Sequence, residues 1–195
     1  MSTVRHGNQP TLVVVDVQVG VMAESWDSAR AIKNVARAVE RARERRVPVL
    51  WVQHESEDLP RDSSSWQLVH ELVPRVGEKL VHKRFPSSFE ETDLEVCLAQ
   101  LGTTHIVLAG AQTNWCIRAT AYAALDRGYD LTLVKDAHTT STIDLGDGSK
   151  VEASSIVNDL NVTMKWIRYP GRKTGTAGAE EVAFEAAGAT SGTAA

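Results

Sequence analysis

Thr11-Leu-Val-Val-Val-Asp-Val17 is an unbroken apolar run interrupted near its end by a carboxylate. β-Branched residues fill most of it, which suits a strand, and the lack of polar alternation means that both faces of that strand are covered. Downstream, Asp27 or Ser28 can cap a helix in which Ile32, Val35, Ala36 and Val39 recur at helical spacing. A second apolar run, Val47-Pro-Val-Leu-Trp-Val-Gln-His54, follows. Strand, helix and strand in that order are the unit of a parallel sheet with helices packed on it.

The same alternation continues along the chain. Lys79–Lys83 reads as a third strand after a polar loop, Glu55–Ser65, and long loops in compact domains often carry function. Thr92 and Glu95 suggest a capping box for a helix with Leu94, Cys97, Leu98 and Leu101 on one stripe, closed by Gly102. His105–Ala109 is a fourth strand, and a polar turn from Gly110 to Trp115 leads into a helix from about Cys116 to Arg127. Tyr129–Val134 makes a fifth strand ending near Asp136, and Asn161–Ile167 a sixth after another helix. The expected fold is α/β: a single doubly wound six-stranded parallel sheet with helices on both faces. Residues 1–170 form the domain, and residues 171–195 form an Ala/Gly-rich tail in which Ala179–Ala187 can make a short helix.

Composition narrows the function classes. With 195 residues, 43% hydrophobic and 24% charged, the chain suits one ordinary globular core. A net charge of −4 offers no general attraction for nucleic acid or anionic lipid. The basic run Arg41–Arg46 is interleaved with Glu40 and Glu44 on an amphipathic helix, a pattern of a solvated face. No stretch approaches the roughly 20 apolar residues of a membrane span, and the polar start lacks a signal-peptide core. Two cysteines fit a reducing compartment, so a cytoplasmic location is expected.

In an open parallel sheet the ligand site lies beyond the carboxyl ends of the strands, where strand order reverses. Asp16 ends the first strand, His54 the second and Lys83 the third, while Cys116 follows the fourth at the start of its helix. In a sheet ordered 3-2-1-4-5-6, strands one and four would be neighbours and Asp16 would face Cys116. A thiol at a helix N-terminus beside an ammonium should have a lowered pKa, and a carboxylate beside it can take its proton. Each residue also has a plain reading: Cys116 as a buried structural thiol, Asp16 as a loop-fixing acid, Lys83 as a solvent-facing charge. Cys97, on an apolar helical stripe, reads as core.

At these residues the sequence resembles the isochorismatase-like cysteine hydrolase family. The matching pieces are Leu12-Val-Val-Val-Asp-Val-Gln18, Lys83-Arg-Phe-Pro-Ser-Ser-Phe89 with Thr92 and Leu94, and Gly110-Ala-Gln-Thr-Asn-Trp-Cys116 with Ala121. Gly128-Tyr129 and Asp136-Ala137 complete them, and together they span most of residues 11–167. The resemblance implies the strand order above, an Asp16–Lys83–Cys116 catalytic triad, and a cis peptide between Ala111 and Gln112. It further implies an oxyanion hole from the amides of Gln112 and Cys116, and assembly as a homodimer or homotetramer. The reaction implied is hydrolysis of a C–N (amide) bond of a small molecule through a thioester.

Nicotinamidases of this family hold a metal with an Asp-x-His pair after strand two and a later His. Val52-Gln53-His54 lacks that aspartate, so no metal and no cofactor are expected, leaving His54 with Glu55, Asp58 or His70 as an unusual alternative. Substrate-binding candidates are Gln18, Trp26, His54, Trp66, Phe85, Phe89, Trp115 and Asn158, with subunit packing or a structural role as the competing reading. Two other functions stay open: an isochorismatase-type vinyl-ether hydrolase, and a catalytically silent binding or assembly module.

Overall fold

The computed structural model describes Arg5, Gly7 and residues 9–184. In chain order its elements are β1 (Gln9–Val15), α1 (Val19–Ala23), α2 (Ser28–Glu44), β2 (Val49–His54), β3 (Lys79–Lys83), α3 (Leu94–Gln100) and β4 (Thr103–Ala111). A π turn (Thr113–Ile117), α4 (Arg118–Asp126), β5 (Asp130–Thr139), a small antiparallel ribbon of β6 (Ile143–Asp144) and β7 (Lys150–Val151), α5 (Ala153–Trp166) and β8 (Thr174–Ala177) follow. Six strands form one parallel sheet in the order β3-β2-β1-β4-β5-β8.

The opening heptad is the middle of that sheet. Val13 pairs with Leu50 on one side and Leu108 on the other, and successive side chains go to opposite faces. Leu12 and Val14 join Val35, Ala38, Val39 and Ala42 of α2. Val13 and Val15 join Leu98 of α3, Ala121 and Leu125 of α4, and Leu160 and Met164 of α5. Each fully buried aliphatic side chain contributes roughly 1.5–3 kcal/mol, so this two-sided burial holds the layers together. No helix among the described residues is long and apolar enough to cross a membrane.

The sixth strand is not where the sequence suggests. Residues 161–166 continue helix α5, which ends before Ile167 and whose buried positions Ala153, Ile156, Val157, Leu160 and Met164 recur at helical spacing. The alternation of Val162, Met164 and Trp166 is misleading, since Val162 and Trp166 are exposed. The sheet is completed by Thr174–Ala177, beyond the expected boundary at residue 170. Its Thr-Gly-Thr-Ala composition gives no apolar signal because an edge strand pairs on one side only. Ala179, Val182 and Phe184 of the expected tail are buried on the α2 face. The described part of the expected helix 179–187 is a turn followed by irregular chain, and residues 185–187 lie outside the described residues.

Three local expectations also change. Thr92 Oγ1 accepts from Leu94 N at 3.3 Å, but Glu95 pairs with Arg5 and Arg127 instead of closing a capping box. Asp27 precedes α2 in a left-handed conformation and gives its carboxylate to Arg30, 2.6 Å away, with no capping bond. The segment carrying Cys116 begins one turn early as the π turn and runs directly into α4.

Two buried features hold that segment. Gly110, at φ 127°, sits so close to β1 that an added Cβ would lie 1.9 Å from the Val15 carbonyl oxygen. His138 joins β5 to the π turn and to α5. The Asn161 amide nitrogen donates to Lys135 O at 3.0 Å, so its oxygen faces His138 Nε2, also at 3.0 Å. Nε2 therefore donates, and Nδ1 accepts from the Thr113 hydroxyl at 2.9 Å. Burial pushes the His138 pKa down to about 4.

Gly110→Ala should destabilise the protein by about 4 kcal/mol or more, seen as a collapse of the melting temperature, because backbone rather than a movable side chain fills the space. His138 gives a pH dependence with a definite sign. Between the unfolded value near 6.5 and about 4, the unfolded chain binds the proton and the folded one does not. Stability should therefore fall by about 3 kcal/mol as pH drops through that window, and His138→Gln should remove that part of the slope in denaturant titrations.

Candidate active site

β1 ends at Asp16, whose φ of 53° is left-handed, a conformation aspartate tolerates better than most residues. β3 ends at Lys83, and Cys116 stands in the π turn after β4, the neighbour of β1 across the switch in strand order. These three chain segments converge at one end of the sheet. Lys83 Nζ lies 2.7 Å from Asp16 Oδ2, 3.1 Å from Cys116 Sγ and 3.3 Å from His54 Nδ1. Both charged side chains are essentially without solvent exposure. The Lys83–Asp16 contact is close but poorly aligned for a hydrogen bond, and Asp16 Oδ1 has no donor among the described residues.

The electrostatics follow from that burial. Burial works against the Lys83 charge, but the Asp16 carboxylate and the Cys116 sulfur outweigh it, so its pKa lies above the usual lysine value. Cys116 moves the other way from the sequence expectation. Burial, and then the Asp16 carboxylate, push its thiol up to about 12, against the opposing pull of Lys83. The thiol is thus held neutral beside the Lys83 ammonium. Burial and then Lys83 lower the His54 pKa. The neutral ring accepts the Lys83 proton donor at Nδ1 and carries its own N–H at Nε2.

The peptide between Ala111 and Gln112 is cis. Gln112 then leads into the π turn, where the amides of Trp115 and Ile117 both donate to its carbonyl at 3.1 Å. Its side chain donates to Ser141 Oγ at 3.2 Å, and Ser141 Oγ donates to Glu24 O at 2.9 Å.

Above these groups lies a cavity of about 440 Å³. Asp16, His54, Gln112, Trp115 and Cys116 line it, joined by Gly20, Val21 and Glu24 of α1 and its end, by Ser56, Asp58, Leu59 and Ser65 of the loop after β2, and by Pro86 and Ser141. α1 and the loop are tied together. Val19 N donates to Gln67 O and Gly20 N to Ser65 O, while a Cβ at Gly20 would lie 2.9 Å from Leu59 Cδ1.

Several expected pocket residues sit elsewhere. Gln18 is fully buried and clamps the loop: its Nε2 donates to His54 O and Trp66 O, and its Oε1 accepts from His54 N. Trp66 is buried with its ring 5.3 Å from that of His82 and lines a separate depression near β3. Phe89 belongs to the core against Tyr129, 6.0 Å between ring centres. Trp26 is half exposed, with the Arg30 guanidinium 5.2 Å from its ring. Phe85 is half exposed beside Pro86, and Asn158 is exposed on α5; neither lines the cavity. Their sequence signal was a polar or aromatic residue on a loop, which does not distinguish a side chain facing the cavity from one facing the core or solvent.

The lining residues that sequence reasoning missed, Val21, Glu24, Leu59 and Ser141 among them, come from segments whose conformation no local pattern announces. His70 is exposed and paired with Glu71, while Glu55 pairs with Arg84. Among the described residues no group of three or more His, Cys, Asp or Glu side chains is placed to hold a metal ion.

Comparison with known proteins places the chain in a family. An isochorismatase family protein of Bacillus subtilis (strain 168) is 32% identical over 146 residues, covering 70% of this chain and 81% of its own. N-carbamoylsarcosine amidase of an Arthrobacter species is 26% identical over 155 residues, 64% of this chain and 57% of that one. The crystal structure of an isochorismatase from Pseudomonas putida KT2440 superposes with a TM-score of 0.79 over 89% of each chain at 24% identity, which shows the shared fold. The isochorismatase domain signature matches residues 10–160, and the chain belongs to the isochorismatase family.

Proposed function

We propose that the protein is a cysteine hydrolase cleaving a C–N (amide) bond of a small molecule, with Cys116 as nucleophile, Asp16 as its base and Lys83 between them. One observation carries the reading: a buried ammonium lies 2.7 Å from a carboxylate and 3.1 Å from a thiol, and the last two line one cavity. Burying such a pair costs several kcal/mol of desolvation per ion, which packing alone does not need. The amidase among its relatives points the same way.

With a thiol pKa pushed up to about 12, water is a poor acceptor for the Cys116 proton and Asp16 is the near one. As the sulfur attacks the carboxamide carbon, its proton passes to Asp16, and the Lys83 ammonium stabilises the sulfur as it becomes anionic. The amides of Gln112 and Cys116 hold the tetrahedral oxyanion. The C–N bond breaks, and Asp16 returns the proton to the leaving amine or ammonia, leaving a thioester. Water then attacks the thioester carbonyl and gives a proton to Asp16. Cleavage of the C–S bond frees the acid, and the thiolate takes that proton back. One water is consumed per amide. Both cysteines are free, which suits a reducing, cytoplasmic setting.

Cys116→Ala should lower release of ammonia or amine by about a thousandfold or more. Undiminished release in that variant would remove Cys116 as the nucleophile. Asp16→Asn separates the roles of the two neighbours. It removes a carboxylate that favours the thiol and leaves Lys83, so iodoacetamide should alkylate Cys116 faster at neutral pH while amide hydrolysis falls by about a hundredfold or more. Alkylation and hydrolysis falling together would contradict the assignment of Asp16. Lys83→Met strands Asp16 in the interior and should cost about 3–5 kcal/mol in unfolding free energy.

A further inference from the structure

The cavity has an uneven charge. Asp16, Glu24 and Asp58 line it, and among the described residues no arginine or lysine does. The Asp16 charge is met by Lys83. Glu24 and Asp58 are exposed, and among the described residues neither carboxylate has an ion-pair or hydrogen-bond partner. Some surface carboxylates find one, such as Asp27 with Arg30, Glu55 with Arg84 and Asp159 with Arg118. Others, such as Glu57 and Glu90, find none among the described residues, so what sets Glu24 and Asp58 apart is that they line the cavity.

Two exposed acids alone would read as solvated surface. Here they share a cavity with Asp16, a buried carboxylate whose Oδ1 has no donor among the described residues. Both acids also stand on fixed backbone. The Glu24 carbonyl is bonded to Ser141 and through it to Gln112. Asp58 sits in a turn closed by the reciprocal backbone bonds of Ser56 and Leu59, 3.2 Å each, and Leu59 packs on Gly20. A ligand that satisfies all three carboxylates donates protons at one end and carries positive charge at the other.

We infer that Glu24 and Asp58 form a subsite for a cationic group of the substrate, so that the favoured class is amides bearing an ammonium or guanidinium away from the scissile bond. This rests on the amide-hydrolase reading for the scissile end. Anionic amides are disfavoured by the same charges. The preference weakens with salt, because both acids are exposed and screened within about 8–10 Å at ordinary ionic strength.

The test compares ammonia release from ε-aminocaproamide, its neutral isostere heptanamide and the anionic adipamic acid, with the parent and a Glu24→Gln/Asp58→Asn double variant checked for unchanged melting. The expected result is a kcat/KM preference of about tenfold or more for the cation over heptanamide, with adipamic acid last, shrinking to within about twofold in the double variant. Equal use of cation and neutral isostere, or a preference that survives in the double variant, overturns the subsite and leaves the amide reading intact. A second readout separates the two ideas: protection of Cys116 from iodoacetamide by pentylammonium against pentanol. Protection by the cation alone, lost in the double variant, supports the subsite even if no amide is hydrolysed, and that pattern overturns the amide reading instead. No selective protection together with no hydrolysis overturns both.

Discussion

A lysine and an aspartate are held together out of water at the carboxyl end of the sheet, and much else serves that contact. Desolvation of either charge alone would cost several kcal/mol, so neither residue is stable there without the other. The pair is not ideally aligned: Asp16 Oδ1 has no donor among the described residues, and Lys83 divides its protons among Asp16, Cys116 and His54. An ion pair built only for stability would satisfy these atoms internally. Left open toward a cavity, it suits the proposed reaction, in which it would hold charge ready for a reacting group.

The fold supplies this convergence through the reversal of strand order between β1 and β4. Asp16 takes a left-handed conformation itself at the end of a buried strand, and Gly110 lets β4 come up against that strand without side-chain bulk. His138, kept neutral by burial, ties the π turn of Cys116 to β5 and α5. The thiol, carboxylate and ammonium are thus carried by separate segments that the core locks in place, which is what a proton transfer over hydrogen-bond distance requires.

Much of this was legible in the chain. The apolar runs of β1, β2 and β4 are buried on both faces, so their periodicity and their terminal polar residues stand out. Asp16 follows β1 and Cys116 lies in the turn after β4, while Lys83 ends the short, partly exposed β3. The sixth strand was not legible: Thr174–Ala177 is an edge strand of small polar residues, and the apolar alternation of 162–166 belongs to a helix with one wet face. The thiol's acidity was misjudged for a related reason. Its helix position and the nearby lysine show in the sequence, whereas burial and the closeness of Asp16, which dominate, depend on packing. Of the aromatics, Trp115 lines the cavity, while Phe89 and Trp66 turned inward, because an aromatic on a loop satisfies core and cavity equally well until the loop's path is known.

The claim at the centre of this account is that the Cys116 sulfur forms a covalent bond with the acyl group after its proton has gone to Asp16. Acid-quenched intact-protein mass spectrometry during turnover of an amide tests it most directly. The account predicts an acyl adduct that maps to Cys116, is released by hydroxylamine as a thioester, and is absent in Cys116→Ala. Amide turnover with no adduct on Cys116, and undiminished in Cys116→Ala, would contradict it.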